Sequence, residues 1–280
     1  MRIDAHQHFW RLSKGFYGWL TPELEAIYAD FEPAQMKPLL AAAGIDGTVA
    51  VQAAPDMRET EFLLCLAEKN PFIRGVVGWI DMETKEGIAA LKRFGRNPLF
   101  KGIRPMIQDI MPVTWMLGAK LDPAYRTLID LGLSFDALVK PLHLDVLAML
   151  LDRYPDLSVI IDHGGKAAIR EGLGGAGGFD EWAPKIDRLA RFPNVACKLS
   201  GLLTEARPGA TLDDLAPYLD HLHDAFGASR LMWGSDWPVL LLESDYARWD
   251  AMFAEWLSGK PDAARDDIMG GTATRLYRLQ

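Results

Sequence analysis

The chain has 280 residues, 49% of them hydrophobic and 24% charged, with a formal net charge of −8. An acidic balance with no basic stripe argues against a nucleic-acid or anionic-membrane surface and leaves a small molecule as the expected partner. A chain of this length buries enough apolar surface to stand without a disulfide or structural metal, so Cys65 and Cys197 read as buried free thiols. The N-terminus lacks a basic stretch followed by an apolar run, and no window of 18 uninterrupted apolar residues occurs. The expected location is cytoplasmic, as a monomer or homodimer.

Short apolar, β-branched runs bounded by turn residues predict eight strands. They are Arg2–Ala5, Gly47–Gln52, Ile73–Trp79, Gly102–Met106, Ser134–Val139, Ser158–Asp162, Val195–Leu199 and Leu231–Gly234. Several are almost wholly apolar, as strands covered on both faces of a parallel sheet must be. Amphipathic stretches alternate with them: Pro33–Ala43 stopping at Gly44, Glu59–Asn70 capped by Asp56, Glu83–Phe94, Asp122–Leu131, Leu144–Arg153, Glu181–Arg191, Asp213–Phe226 and Tyr246–Leu257. Pro71, Pro155 and Pro193 follow helices, where the chain must turn.

Eight βα units with no linker between them predict one (β/α)8 TIM barrel over residues 1–280. A doubly wound open sheet finds no support, because no G-x-G-x-x-G follows the first strand. The segment Glu171–Phe179 is glycine-rich and follows strand 6, which places it as a loop near the functional face.

In a barrel the functional face lies where the strands end. Strand 1 runs into His6-Gln7-His8, strand 6 into Asp162-His163, and strand 8 into Ser235-Asp236-Trp237. Any one of these alone reads as well as a structural residue; their convergence on one rim makes His6, His8, His163 and Asp236 the expected catalytic set. Strand-end cations Arg104, Lys140 and Lys198, with His143, are candidates for substrate hydroxyls or for charge developing on a carbonyl oxygen. Lys198 is equally placed to pair with a buried carboxylate, and Arg104 to brace the barrel mouth. Trp10, Trp19, Trp237, Gln108 and Asp109 are candidate pocket walls, the aromatics for an apolar ligand face and the polar groups for hydrogen bonds. His221 and His223 fall on a helix away from that face.

Several motifs together resemble the amidohydrolase superfamily, and within it the sugar-lactonase group of L-fuconolactonases and L-rhamnonolactonases. They are Ile3-Asp4-Ala5-His6-Gln7-His8-Phe9-Trp10, Val51-Gln52-Ala53, Gly75-Val76-Val77-Gly78-Trp79, Lys101-Gly102-Ile103-Arg104, Asp162-His163, Cys197-Lys198-Leu199-Ser200-Gly201-Leu202 and Trp233-Gly234-Ser235-Asp236-Trp237-Pro238. The resemblance covers essentially the whole chain. It implies a metal-dependent-hydrolase-like barrel that opens a sugar-acid lactone to an aldonic acid. Asp236 would be the general base toward water, with His6, His8 and His163 orienting or polarising the carbonyl.

One departure bears on a cofactor. Metal-dependent relatives place a histidine before a proline at the end of strand 5; here Lys140 precedes Pro141, and an ammonium is a poor ligand. Catalysis without a metal is therefore the first expectation. A single Zn2+ on His6, His8 and Asp236 is the second. Lys166 also lacks the proline that follows it in relatives. Two rival readings are a metal-dependent decarboxylase or hydrolase of a carboxylated aromatic or lactone, and a non-catalytic sugar-binding barrel.

Overall fold

The computed structural model describes residues 1–280. Strands β1 (Ile3–Gln7), β2 (Gly47–Val51), β3 (Ile73–Gly78), β4 (Phe100–Ile103), β5 (Ser134–Ala137), β6 (Val159–Ile161), β7 (Val195–Leu199) and β8 (Leu231–Trp233) pair in chain order, every pair parallel. The sheet closes on itself just beyond β8: Gln7 bridges Trp237, the His8 N–H donates to the Trp237 carbonyl at 2.7 Å, and the Asp236 N–H donates to the His6 carbonyl at 2.8 Å. This is the expected TIM barrel.

The outer layer comprises α1 (Pro33–Ala43), α2 (Met57–Lys69), α3 (Lys85–Phe94), α4 (Asp122–Leu131), α5 (Leu144–Arg153), α6 (Phe179–Ala190), α7 (Leu202–Glu205), α8 (Leu212–Phe226), α9 (Tyr246–Leu257), α10 (Asp262–Asp266) and α11 (Thr272–Leu276). Local chemistry sets many of these bounds. Pro33 opens α1, and Gly44, at φ 64°, closes it by donating to the Ala41 and Leu40 carbonyls. Asp56 caps α2 by accepting the Arg58 N–H. No helix is long and apolar enough to cross a membrane.

Two apolar clusters divide the interior. The larger fills the space between barrel and helices and includes Trp10, Trp182, Trp237 and Trp249. The smaller fills the lower barrel with Ile3, Ala5, Val49, Val51, Val77, Ile160, Ala196 and Met232, and Tyr277 and Leu279 from the C-terminus plug it. Polar residues occupy the interior above this plug.

A bulge in β1 aims the first site residue. Asp4 pairs with Thr48 but Gln7 with Ala50, so β1 carries one residue more than β2 over that interval. Ala5 packs into the lower cluster, and His6, the next residue, already reaches Lys198 and Asp162. The extra residue lets two consecutive side chains enter the barrel.

The structure departs from expectation in a few places. β4 lies earlier than Gly102–Met106, because Pro105 has no N–H to give the ladder and Arg104 is the last residue before it. Cys65 is exposed rather than buried, while Cys197 is buried; both are free thiols. α7, α10 and α11 were not expected, being too short for a periodic pattern to register. His221 and His223 lie on α8 away from the barrel mouth and are half-buried: His221 Nε2 stands 3.1 Å from Asp187 and packs beside Trp182.

Candidate active site

Asp236 lies at the centre of a histidine cluster. Its Oδ1 stands 3.2 Å from His8 Nε2, 3.6 Å from His6 Nε2 and 3.9 Å from His163 Nε2. All four residues are buried. Burial alone would raise the Asp236 carboxyl, but His163, His8 and His6 outweigh it and hold the group below the usual carboxylate range. Asp236 is therefore ionised across the neutral range.

The backbone at these positions is bent to aim the side chains. Asp236 has φ 58° and His163 φ 54°, the left-handed region that residues with a Cβ seldom adopt. Gly201, at φ 63°, makes room for both: a Cβ there would lie 2.5 Å from His163 Nδ1 and 3.1 Å from Asp236 Oδ2. Gly234 does the same for His6, whose Cβ would stand 2.8 Å from an added methyl.

Each imidazole is steered from behind. His8 Nδ1 stands 2.8 Å from the Val51 carbonyl, which only accepts, so that nitrogen carries the proton. Its Nε2 then faces an anionic oxygen, a contact that is attractive only with a cation between them, whether a proton or a metal ion. His163 Nδ1 bonds Ser200 Oγ at 2.9 Å. Burial lowers His163 from its ordinary value, with Lys166 and Arg104 adding to the effect and Asp236 and Asp162 opposing it.

Beneath His6 lies a charge network. Lys198 Nζ donates to Asp136 Oδ2 at 2.6 Å, pairs with Asp162 Oδ1 at 2.9 Å and approaches His6 Nδ1 at 3.2 Å. Tyr277 Oη and Ser134 Oγ donate to the Asp136 carboxylate at 2.6 and 2.7 Å. Burial works to lower Lys198, but Asp136 and Asp162 outweigh it, so the ammonium stays charged. Burial would raise Asp162, but Lys198, His6 and Arg104 hold it well below the usual range. Arg104 NH1 stands 3.6 Å from Asp162 Oδ2 and 3.4 Å from His6 Nε2.

The cluster floors a cleft of about 340 Å³. His8, His163 and Asp236 open into it beside Arg104, and Trp19, Met106, Leu138 and Val239 give it apolar walls. Gln108, Asp109, Lys166 and Thr204 supply polar groups. The Trp19 indole N–H donates to the Ala53 carbonyl at 2.7 Å, which fixes that wall. A second cavity of about 620 Å³ adjoins through Lys166 and Thr204; Lys140 lines it, and so do Ala176 and Gly177 of the glycine-rich segment.

Other candidates from the sequence lie elsewhere. Trp10 is fully buried in the core, its indole N–H bonded to the Ala29 carbonyl. Trp237 packs against Phe9 and Phe31. His143 is buried, and its Nδ1 accepts the Lys140 N–H at 3.2 Å, closing the turn into α5. Lys198 lies below the cleft, paired with carboxylates. Lys140 stands at the rim, 4.0 Å from Asp109. Met106, Leu138, Thr204 and Val239 were not singled out, since they come from loops and short helical turns beyond the strand ends whose course no local pattern reveals. Asp136 and Asp162 had a signal that went unused: a carboxylate inside an apolar strand needs a buried partner.

The donor set fits a divalent cation. One ligand atom from each of His6, His163 and Asp236 lies within 4.8 Å of the others. Ligands about 2.1 Å from a tetrahedral ion stand about 3.4 Å apart, and the nitrogen–oxygen separations in this trio, 3.6 and 3.9 Å, lie slightly above that value. The metal-bound alternative thus gains support, with His163 rather than His8 in the closest trio.

A closed barrel with two histidines at the end of β1, one after β6 and an aspartate after β8 is the frame of a barrel hydrolase, and the chain belongs to the amidohydrolase family, whose model matches residues 3–279. It is 42% identical to an L-fucono-1,5-lactonase of Burkholderia ambifaria, with 99% of this chain and 96% of that one covered. An L-fucono-1,5-lactonase of Burkholderia multivorans is 35% identical over 100% of this chain and 96% of its own. An amidohydrolase of Burkholderia multivorans, 33% identical with both chains fully covered, superposes with a TM-score of 0.95 in crystals with bound HEPES and 0.92 in crystals with bound zinc.

Proposed function

We propose that the protein hydrolyses a sugar-acid lactone of the L-fucono-1,5-lactone kind to the open aldonic acid. The observation that carries this reading is the ionised Asp236 carboxylate, faced by three imidazoles at the floor of a small cleft that is apolar on one side and polar on the other. The curated lactonases of similar sequence support the same class of substrate. In this reading the lactone lays its ring face on Trp19 and Leu138. Gln108, Asp109, Lys166 and Thr204 take its hydroxyls.

Asp236 accepts a proton from water as the water oxygen bonds to the carbonyl carbon. Negative charge then grows on the carbonyl oxygen, and Arg104, fixed by its bond to the Gln52 carbonyl, offers a cation to it. The bond from carbon to ring oxygen breaks, and the proton held at Asp236 passes to that oxygen through His163, leaving a carboxylic acid and a hydroxyl. A divalent ion held by His6, His163 and Asp236 would supply Lewis-acid stabilisation of the same developing charge.

The test is acid release from a panel of aldono-1,4- and 1,5-lactones, followed with a pH indicator, with chelator and with added Zn2+. Fast hydrolysis of one stereochemical group supports the reading. No hydrolysis under any condition would sink it and turn attention to carboxylated lactones and decarboxylation.

A further inference from the structure

We infer that Glu59, which lies outside the cleft, is a positioning residue that holds Trp19 and Arg104 in place through the segment that follows β2. Three successive carbonyls there each hold a side chain of the site. Val51 accepts from His8 Nδ1 at 2.8 Å, Gln52 accepts from Arg104, and Ala53 accepts the Trp19 indole N–H at 2.7 Å. Val51 belongs to β2 and is fixed by the sheet. The ladder ends one residue later, where the Gln52 N–H donates to the Val77 carbonyl at 2.8 Å.

Ala53 and Ala54 lie beyond the ladder and are buried, and their N–H groups go to one side chain. Glu59 Oε1 and Oε2 accept the Ala53 N–H at 2.9 and 3.1 Å, and Oε2 accepts the Ala54 N–H at 2.8 Å. A trans peptide is planar, with its N–H and C=O on opposite edges. The Ala53 N–H shares its plane with the Gln52 carbonyl, and the Ala54 N–H shares its plane with the Ala53 carbonyl. Glu59 therefore grips two planes on one edge, and their other edges hold Arg104 and Trp19. Helix capping does not account for this glutamate. At the third position of α2 it could return to the Asp56 N–H as in a capping box. That N–H goes to the Ala54 carbonyl at 2.8 Å instead, and the Asp56 side chain already caps the helix. Glu59 is also costly to bury: burial pushes its carboxyl up to about 8, against the pull of the two amides, Arg104 and Tyr17. It acts through the backbone and reaches no substrate.

That Trp19 and Arg104 face substrate rests on the proposed lactonase activity; that Glu59 holds them does not, and two measurements separate the two. Glu59→Gln puts an NH2 group in place of one oxygen, and in either orientation it opposes a backbone N–H at 3.1 Å or less. Hydrogen exchange followed by 1H–15N NMR reads the grip without turnover. In the native protein the Ala53 and Ala54 amides and the Trp19 indole N–H should be protected together. In folded Glu59→Gln the Trp19 indole should exchange about tenfold faster, a larger change than at the amides of β6 across the barrel. The second measurement is steady-state kinetics on a hydrolysed lactone. Glu59→Gln should raise KM by about three- to tenfold, and so should Trp19→Phe, which keeps a ring but loses the N–H. The double variant should show no higher KM than either single one, because both break the same line. Unchanged Trp19 exchange in folded Glu59→Gln overturns the inference, as do KM changes that multiply in the double variant. Native Ala53 and Ala54 amides that exchange like an open loop overturn it too, even if Glu59→Gln fails to fold. Faster Trp19 exchange with no lactone hydrolysed would remove the substrate and leave the role of Glu59 standing.

Discussion

The Asp236 backbone N–H donates to the His6 carbonyl at 2.8 Å, and the side chains of the same two residues face each other at 3.6 Å. The seam that closes the barrel and the centre of the site are therefore one construction. The strand-end bulge in β1 and the left-handed φ at Asp236 serve closure and aim together.

Asp236→Asn keeps the size of the side chain but removes its charge and its ability to accept a proton. The expected outcome is a fall in kcat of about 10²–10⁴-fold with far- and near-UV circular dichroism unchanged. Full activity in the folded variant would remove Asp236 from the role of base.

Gly201→Ala places a methyl 2.5 Å from His163 Nδ1 at a φ of 63°. The ring must move and lose Ser200, and the backbone is strained as well. We expect a loss of about 1–3 kcal/mol in stability and a lower kcat. Urea unfolding and steady-state kinetics on one preparation separate the two effects; a variant with native values in both would show that the loop yields freely.

Trp19 forms a cleft wall through its bond to Ala53. Trp19→Ala should raise KM by about tenfold while kcat changes less, because the loss falls on binding the ring face. A drop in kcat at constant KM would place Trp19 in the chemical step instead.

Glu59 is fully buried and accepts the Ala53 and Ala54 N–H groups, yet burial outweighs these bonds and raises its carboxyl to about 8. A carboxyl raised on folding contributes stability that is complete below the unfolded value of 4.5 and is lost as pH rises through about 8. The native protein should therefore lose about 3–5 kcal/mol between about pH 5 and about pH 8. Glu59→Gln, which does not titrate, should show a flatter profile. Parallel profiles for the two proteins would assign the pH dependence elsewhere.

Tyr277→Phe removes the donor to Asp136 Oδ2 at the base of the network and leaves part of a buried acceptor unfilled. A cost of about 1–3 kcal/mol is expected, read from chemical denaturation. No loss would mean that Lys198 and Ser134 satisfy Asp136 without it.

What the sequence alone determined is what local chemistry governs. Apolar runs and turn residues marked all eight strands. α1, α4, α5 and α9 lie where periodicity placed them, with Gly44 marking the end of α1 and Pro155 following α5, because a helix is bounded by residues close in the chain. His6, His8, His163 and Asp236 could be gathered before any coordinates, since barrel closure brings every strand end to one rim. Only the tertiary structure decided how far each strand-end side chain reaches. It sent Trp10 and Trp237 into the core, turned His143 back onto Lys140, buried Lys198 between Asp136 and Asp162, and put His163 rather than His8 in the closest donor trio. Those outcomes depend on a single inserted residue in β1, on positive φ at three positions and on contacts between residues far apart in the chain, such as Lys198 with Asp136 and with His6. No local pattern carries such information, because the energy that selects each placement comes from partners that meet only when the barrel closes.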